Sequence, residues 1–145
     1  MATVLVPLAQ GCEEIEAVTV VDVLRRAGIT VVTAGLDAHP VKASRGVVLV
    51  PDTTLDAALK HDYDMVVLPG GQPGTDNLDR DERIRALLTK MANSEKFTAA
   101  ICAAPKVLAH AGVLKGKRAT SFPGVLDKIP KPDFQLDHAP VVRDG

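Results

Sequence analysis

One segment of the sequence has the form of a reactive centre: Ala100-Ile101-Cys102-Ala103-Ala104-Pro105. An apolar run leads straight into a helical pattern, and the cysteine stands at the junction. A nucleophile elbow is built this way, with small residues two before and two after the nucleophile, because the turn is too tight for larger side chains. The nucleophile is then held in strained backbone geometry and points out of the sheet edge. Pro105 suits the first turn of a helix, where no N–H is missed. A thiol before a helix N-terminus meets the positive end of the macrodipole and unpaired N–H groups, which favour thiolate and lower its pKa. A buried structural cysteine is the plain alternative, since free cysteine is among the most buried residue types.

Two further segments could serve such a thiol. Gly70-Gly71 follows an apolar run, and glycines there let backbone N–H groups approach a ligand closely. Paired with the Ala103 N–H, they could form an oxyanion hole, although two glycines alone favour the reading of an ordinary turn. Glu13-Glu14-Ile15-Glu16 places three carboxylates in one helical turn, where acidic residues are ordinary helix starters. Successive residues are turned by about 100°, so the three cannot face water equally. One turned toward the sheet edge would be partly buried, which raises a carboxyl pKa. A protonated carboxyl can donate to a thiolate and can shuttle protons.

Other chemistries lack their residues. His39, His61, His110 and His138 are scattered through connections and the far end of a helix, so no Cys–His–acid triad can be assembled. Metal-ligand spacing is absent, and Gly70-Gly71 to Gly74 lacks the Lys-Ser/Thr of a phosphate loop. No cofactor is implied. Cys12, the other thiol, reads as packing at the same sheet edge, with a second oxidisable thiol as the alternative.

These residues need a scaffold. The 145 residues carry a net charge of −1 and are 46% hydrophobic. That length fits a single domain over 1–145, with enough apolar residues for a core. The charge does not indicate nucleic acid or an anionic membrane as partner. No apolar run approaches the ~20 residues of a membrane span, and no basic n-region precedes Val4, so the expected location is cytoplasmic.

Strand and helix patterns alternate. Strands are expected at Thr3 to Ala9, Ile29 to Leu36, Asp64 to Leu68, Phe97 to Ile101 and Lys117 to Ser121. A hairpin turns near Arg45-Gly46. Helices are expected at Glu13 to Ala27, Thr54 to Lys60, Asp81 to Asn93 and Ala104 to Ala111. A helical turn follows at Pro123 to Ile129, then an irregular connection from Pro130 to Pro140. Pro69 to Gly74 is too rich in Gly and Pro for either element. Apolar strands alternating with helices predict a mostly parallel sheet covered on both faces, a flavodoxin-like three-layer α/β sandwich. In such folds the site lies at the carboxyl ends of the strands, which selects Ala9 to Glu16, Pro69 to Gly74 and Cys102 to Pro105.

At these residues the chain resembles the ThiJ/PfpI superfamily, also called the DJ-one superfamily. The resemblance runs nearly end to end. It rests on Val4 to Ala9, Gly11 to Val18, Arg25-Arg26-Ala27-Gly28, Ser44-Arg45-Gly46, Tyr63 to Gly71 and Ala99 to Pro105. Ser121-Phe122-Pro123 and Asp127 to Pro130 further resemble the bacterial YajL-like branch. The resemblance implies a homodimer, an oxidation-prone Cys102, a protonated Glu16 donating to it, and the Gly71 and Ala103 amides around the site. It places Arg26 and Arg45 near the dimer-interface side of the pocket. It also implies a cofactor-free glyoxalase acting on methylglyoxal-type dicarbonyls, deglycation of early adducts, or a redox-sensor or chaperone role through Cys102 oxidation. One branch carries His at the position of Phe122, so the base here must come from elsewhere, and Glu16 is the candidate. The protease branch carries His where this chain has Ala103, which argues against proteolysis. Val141-Val142 reads as the start of a strand before Asp144-Gly145. Relatives continue with a further strand and helix, so the domain is expected to be C-terminally incomplete.

Overall fold

The computed structural model describes residues 1–145. Its centre is a five-stranded parallel sheet built from β1 (Thr3–Leu8), β2 (Thr30–Gly35), β5 (Thr53–Thr54), β6 (Met65–Leu68) and β7 (Phe97–Ala100). They lie in the order β5-β2-β1-β6-β7. The central strand β1 pairs with β2 from Thr3↔Thr30 to Leu8↔Gly35, and with β6 at Val4↔Met65 and Leu5↔Val66.

Alternation along β1 divides the core. Val4, Val6 and Leu8 face one layer with Ala17 of α1 (Glu14–Arg26), together with Cys12, Val31 and Val67. Leu5 faces the other layer with Leu55 of α2 (Leu55–Ala58), Leu78 of α3 (Gly74–Arg80), Leu87 and Leu88 of α4 (Glu82–Asn93) and Val107 of α5 (Pro105–His110). A period of two puts successive side chains on opposite faces, so a nearly continuous apolar run serves both layers. The expected three-layer α/β sandwich with a parallel sheet is therefore present.

Helix ends follow their sequence signals. Asp81 accepts from Arg83 N at 2.9 Å and caps α4, and Gly28 takes a positive φ just past α1. The hairpin expected near Arg45-Gly46 is formed by β3 (Val41–Lys42) and β4 (Val48–Leu49), which pair antiparallel.

Three expectations differ from the structure. Between the glycine-rich loop and Asp81, where no element is expected, the chain forms α3 from Gly74 to Arg80. The Pro130 to Pro140 connection is not wholly irregular. Its β9 (Gln135–Leu136) pairs in parallel with β8 (Arg118–Ala119), in a small sheet apart from the main one. Val141-Val142 forms no strand. This segment is held by side chains instead: Asp144 accepts from Arg118 N at 2.8 Å, and the Arg143 guanidinium lies 5.3 Å over the Phe97 ring.

Strand order reverses beside β1, where the chain leaves toward β2 and returns on the other side as β6. Loops following β1 and β6 part at such a point and leave a crevice at the strands' carboxyl ends.

Candidate active site

Three loops converge on this crevice. The β7–α5 loop brings Cys102, the β6–α3 loop brings Gly70 and Gly71, and the first turn of α1 brings Glu16. Cys102 has φ +61°, a left-handed conformation rare for a residue with a side chain. Ile101 N bonds to Leu68 O at 3.2 Å upstream, and Ala104 N bonds to Ile101 O at 3.0 Å downstream. The Cys102 carbonyl accepts from Phe122 N at 2.8 Å. The turn is thus fixed on both sides, as the strained backbone of an elbow requires.

The Cys102 thiol is partly exposed and meets the Glu16 carboxyl and the backbone N–H groups of Ala103 and Gly71. Gly70 N donates to Glu16 Oε2 at 2.8 Å, while Glu13 N donates to Gly70 O at 2.9 Å. One residue of the glycine loop, Gly70, is therefore bonded through both its N–H and its carbonyl to the start of α1. A Cβ on Gly70 would stand 2.8 Å from Cys102 Cβ, from Glu16 Oε2 and from Ile101 O. Gly71 has φ +86°, and a Cβ there would lie 2.5 Å from Glu13 N. Sterics alone keep both positions glycine. Gly70→Ala is expected to destabilise the fold by about 1–3 kcal/mol, because Ile101 O and Cys102 Cβ are fixed by the elbow and leave the methyl no escape. A thermal melt checks this, and an unchanged midpoint would show that the loop has room.

The expected lowering of the thiol pKa is not what the geometry produces. Burial pushes the Cys102 thiol up, and its contact with the Glu16 carboxylate pushes it further. The Ala103 and Gly71 N–H groups pull it down, but less. The macrodipole is weak here because α5 spans only Pro105–His110 and starts past the elbow.

The three glutamates divide their work in a way that their spacing left open. Glu16 faces the thiol. Glu13 caps α1 through Ile15 N at 3.3 Å and accepts from Ser44 Oγ at 2.9 Å. Glu14 is buried and holds the hairpin turn. It accepts from Ser44 Oγ at 3.0 Å, from Arg45 N at 3.0 Å and from Val47 N at 3.2 Å. Burial pushes the Glu14 carboxyl up, but these donors outweigh it and leave it below the usual carboxylate range. Sequence reasoning missed this role. The signal was the Ser44-Arg45-Gly46 turn, whose free N–H groups need an acceptor.

Arg26 and Arg45 are not brought to the thiol within this chain. Arg26 is exposed, pairs with Asp22 at 2.8 Å, and lies ten residues beyond Glu16, roughly 15 Å along the helix. Arg45 reaches Glu14 only through its backbone, and its side chain is exposed. His110 pairs with Asp79 at 2.7 Å, on the far end of α5 from Cys102. No three His, Cys, Asp or Glu side chains are grouped to hold a metal ion. No helix is long and apolar enough to cross a membrane.

Cys12 is fully buried beneath the glycine loop, and its carbonyl accepts from Ser44 N at 2.8 Å. Burial first, and then the Glu14 carboxylate, push its thiol from 9.0 up to about 11. The folded chain therefore keeps this proton where the unfolded chain releases it. The resulting stability is complete below pH 9.0 and is lost as pH rises through about 11. By pH 11 the loss is roughly 2 kcal/mol. Denaturant unfolding of wild type and Cys12→Ala across this range checks it. The variant is expected to show the shallower decline, and parallel curves would refute the assignment.

A partly exposed cysteine on a strained turn, with a carboxyl against its sulfur and backbone amides beside it, defines a cysteine-elbow α/β protein. A model of the DJ-1/PfpI family matches residues 2–145, and the chain belongs to that family. The chain is 45% identical over 143 residues to Drosophila melanogaster protein DJ-1alpha, covering 97% of this chain and 66% of the relative. To protein DJ-1 homolog B of Arabidopsis thaliana it is 47% identical over 128 residues, covering 87% of this chain and 29% of the relative. The chain thus spans about two thirds of one of these relatives and less than a third of the other. It is 35% identical over 144 residues to the Caenorhabditis elegans glutathione-independent glyoxalase DJR-1.2, covering 99% of this chain and 76% of that protein. The crystal structure of Drosophila melanogaster DJ-1beta superposes with a TM-score of 0.94 at 41% identity, covering 99% of this chain and 78% of that one. These relatives are eukaryotic DJ-1 proteins, so the match defines the family and does not single out its bacterial YajL-like branch.

Proposed function

We propose that this chain carries the site of a cysteine-dependent, cofactor-free glyoxalase that acts on methylglyoxal-type dicarbonyls and, by the same thiol chemistry, on early glycation adducts. The observation that carries this reading is the meeting of Cys102, Glu16 and the Gly70 N–H at one point. The 35% identity to a protein named as a glutathione-independent glyoxalase supports the substrate class. Ser121-Phe122-Pro123 supports the YajL-like branch within the family.

Glu16 takes the Cys102 thiol proton as the sulfur adds to the aldehyde carbon of methylglyoxal, forming a C–S bond and an alkoxide to which that proton is then returned. The Gly71 and Ala103 N–H groups stabilise that alkoxide. Glu16 removes the proton from the former aldehyde carbon, and an enediol forms. The proton returns to the neighbouring carbon, so one carbon is oxidised to a thioester while the other is reduced to an alcohol. Water cleaves the thioester, releasing lactate and the thiol. Electrons move only within the substrate, so no external oxidant enters the balance.

The partly exposed thiol and its N–H donors also favour a second reading. Oxidation of Cys102 to a sulfinate, held by the same amides, would make a redox sensor or a redox-regulated chaperone. One paired experiment separates the two. Lactate is measured from methylglyoxal without glutathione, and intact mass is measured after peroxide. Lactate from wild type supports the enzyme. A gain of two oxygens on Cys102 with no lactate overturns it in favour of the sensor.

Self-association is part of the proposal. Ile15 and Val18 of α1 and Val47, Val48 and Val50 in and beside the hairpin are exposed, and Val18 and Val50 line one groove. An apolar surface of that kind favours a second copy of the chain as partner.

A further inference from the structure

The β6–α3 and β7–α5 loops each deliver part of the site and then enter a helix. The glycine loop is bonded into the first turn of α3, where Thr75 N donates to Gly71 O at 2.9 Å. The elbow is bonded into the first turn of α5, where Lys106 N donates to Ala103 O at 3.4 Å. Lys106 Nζ reaches across to Asp76 Oδ1 at 2.5 Å. Gln72, next to Gly71, and Arg80 also lie near the Asp76 carboxyl and favour its charged form. The Lys106 side chain is only 25% exposed. The Lys106 contact, first among several, holds the Asp76 carboxyl below the usual carboxylate range. One turn further on, Asp79 takes His110 as a second tie between the same helices.

We propose that Asp76 and Lys106 are positioning residues that clamp α3 to α5 and so set the Gly71 N–H against the Cys102 sulfur. Neither touches the reacting atoms. Each acts through a loop bonded to its own helix turn: Asp76 through the neighbouring Thr75 and Gly71, Lys106 through Ala103 and Cys102. Most surface ion pairs contribute little to stability. This one has a mechanical role, because the two elements it joins are the two that must stay in register at the thiol. A backbone N–H stabilises a thiolate only at hydrogen-bond distance, and the interaction weakens steeply as distance or angle relaxes. The inference rests on Cys102 being the reacting thiol, and not on which carbonyl compound it meets.

The test is the pH profile of Cys102 alkylation by iodoacetamide, measured on the full chain. Cys12 is fully buried, and its labelling is followed separately by peptide mass. Lys106→Met and Asp76→Asn are each expected to raise the alkylation midpoint by about half a pH unit, slowing labelling about threefold at pH 7.5. Lys106→Arg keeps the wild-type profile. The exchanged double variant Lys106→Asp with Asp76→Lys restores it, which also answers the objection that a single variant is merely misfolded. Midpoints unchanged in both single variants overturn the proposal. So do shifts of opposite sign, because a direct field from Lys106 would act more strongly once Asp76 no longer neutralises it. Lactate formation is not the readout, so failure of the glyoxalase reading and failure of the clamp are told apart.

Discussion

Cys102→Ser is expected to lower methylglyoxal turnover by about three orders of magnitude or more. Serine keeps the volume and the left-handed turn, so the change isolates the nucleophile. A hydroxyl is far harder to ionise than a thiol, and nothing at the elbow is placed to act as a strong base on it. Glu16 is the one carboxyl at the sulfur, and it is shared with Gly70 N. The folded state should be little affected, because the anchors of this turn are backbone bonds from Leu68, Ile101 and Phe122. Steady-state lactate formation by wild type and variant, beside a thermal melt of each, measures both. Retained turnover in a well-folded variant would sink the covalent scheme.

Glu16→Gln is expected to reduce turnover by about 10²–10⁴-fold while leaving Cys102 open to alkylation. Glutamine can still accept the Gly70 N–H, but it cannot carry a proton between two carbons. The same substitution separates two effects on the thiol. The Glu16 carboxylate is, after burial, the next cause that raises the Cys102 pKa. Its removal is therefore expected to move the alkylation midpoint down, toward the ordinary thiol value. Wild type should still gain reactivity with pH above that value, since its thiol is shifted up. Turnover unaffected by Glu16→Gln would remove it from the mechanism, whatever the thiol does.

Much of this arrangement was legible beforehand, and the reasons are particular. Cys102 was visible because an elbow imposes small residues at Ala100 and Ala104. The main strands were visible because β1, β2 and β6 bury both faces and so read as apolar runs. The helix α3 was not visible. Its sequence, Gly-Thr-Asp-Asn-Leu-Asp-Arg, has poor propensity and one apolar anchor in Leu78. Packing holds it instead: Leu78 is fully buried, Asn77 bonds Gln10 O at 2.8 Å, and two ion pairs run to α5. The strand β9 escaped for a similar reason, since two residues carry no periodicity.

By itself the sequence determined the order of the longer strands and helices, the elbow at Cys102, the glycines at 70 and 71, and the segment that must hold an acid. These are local properties, set by side-chain size, backbone freedom and periodicity. Spacing left open which glutamate meets the thiol, the family resemblance implied Glu16, and the tertiary structure supplies the reason. Glu13, Glu14 and Glu16 share one helical turn, and their partners (Ser44 for the first two, the hairpin amides for Glu14, the Gly70–Cys102 pair for Glu16) come from distant parts of the chain. The direction of the thiol's pKa was decided the same way. A helix terminus is readable in sequence, whereas burial and a carboxylate at contact distance exist only after the loops have converged, and here those outweigh the amides.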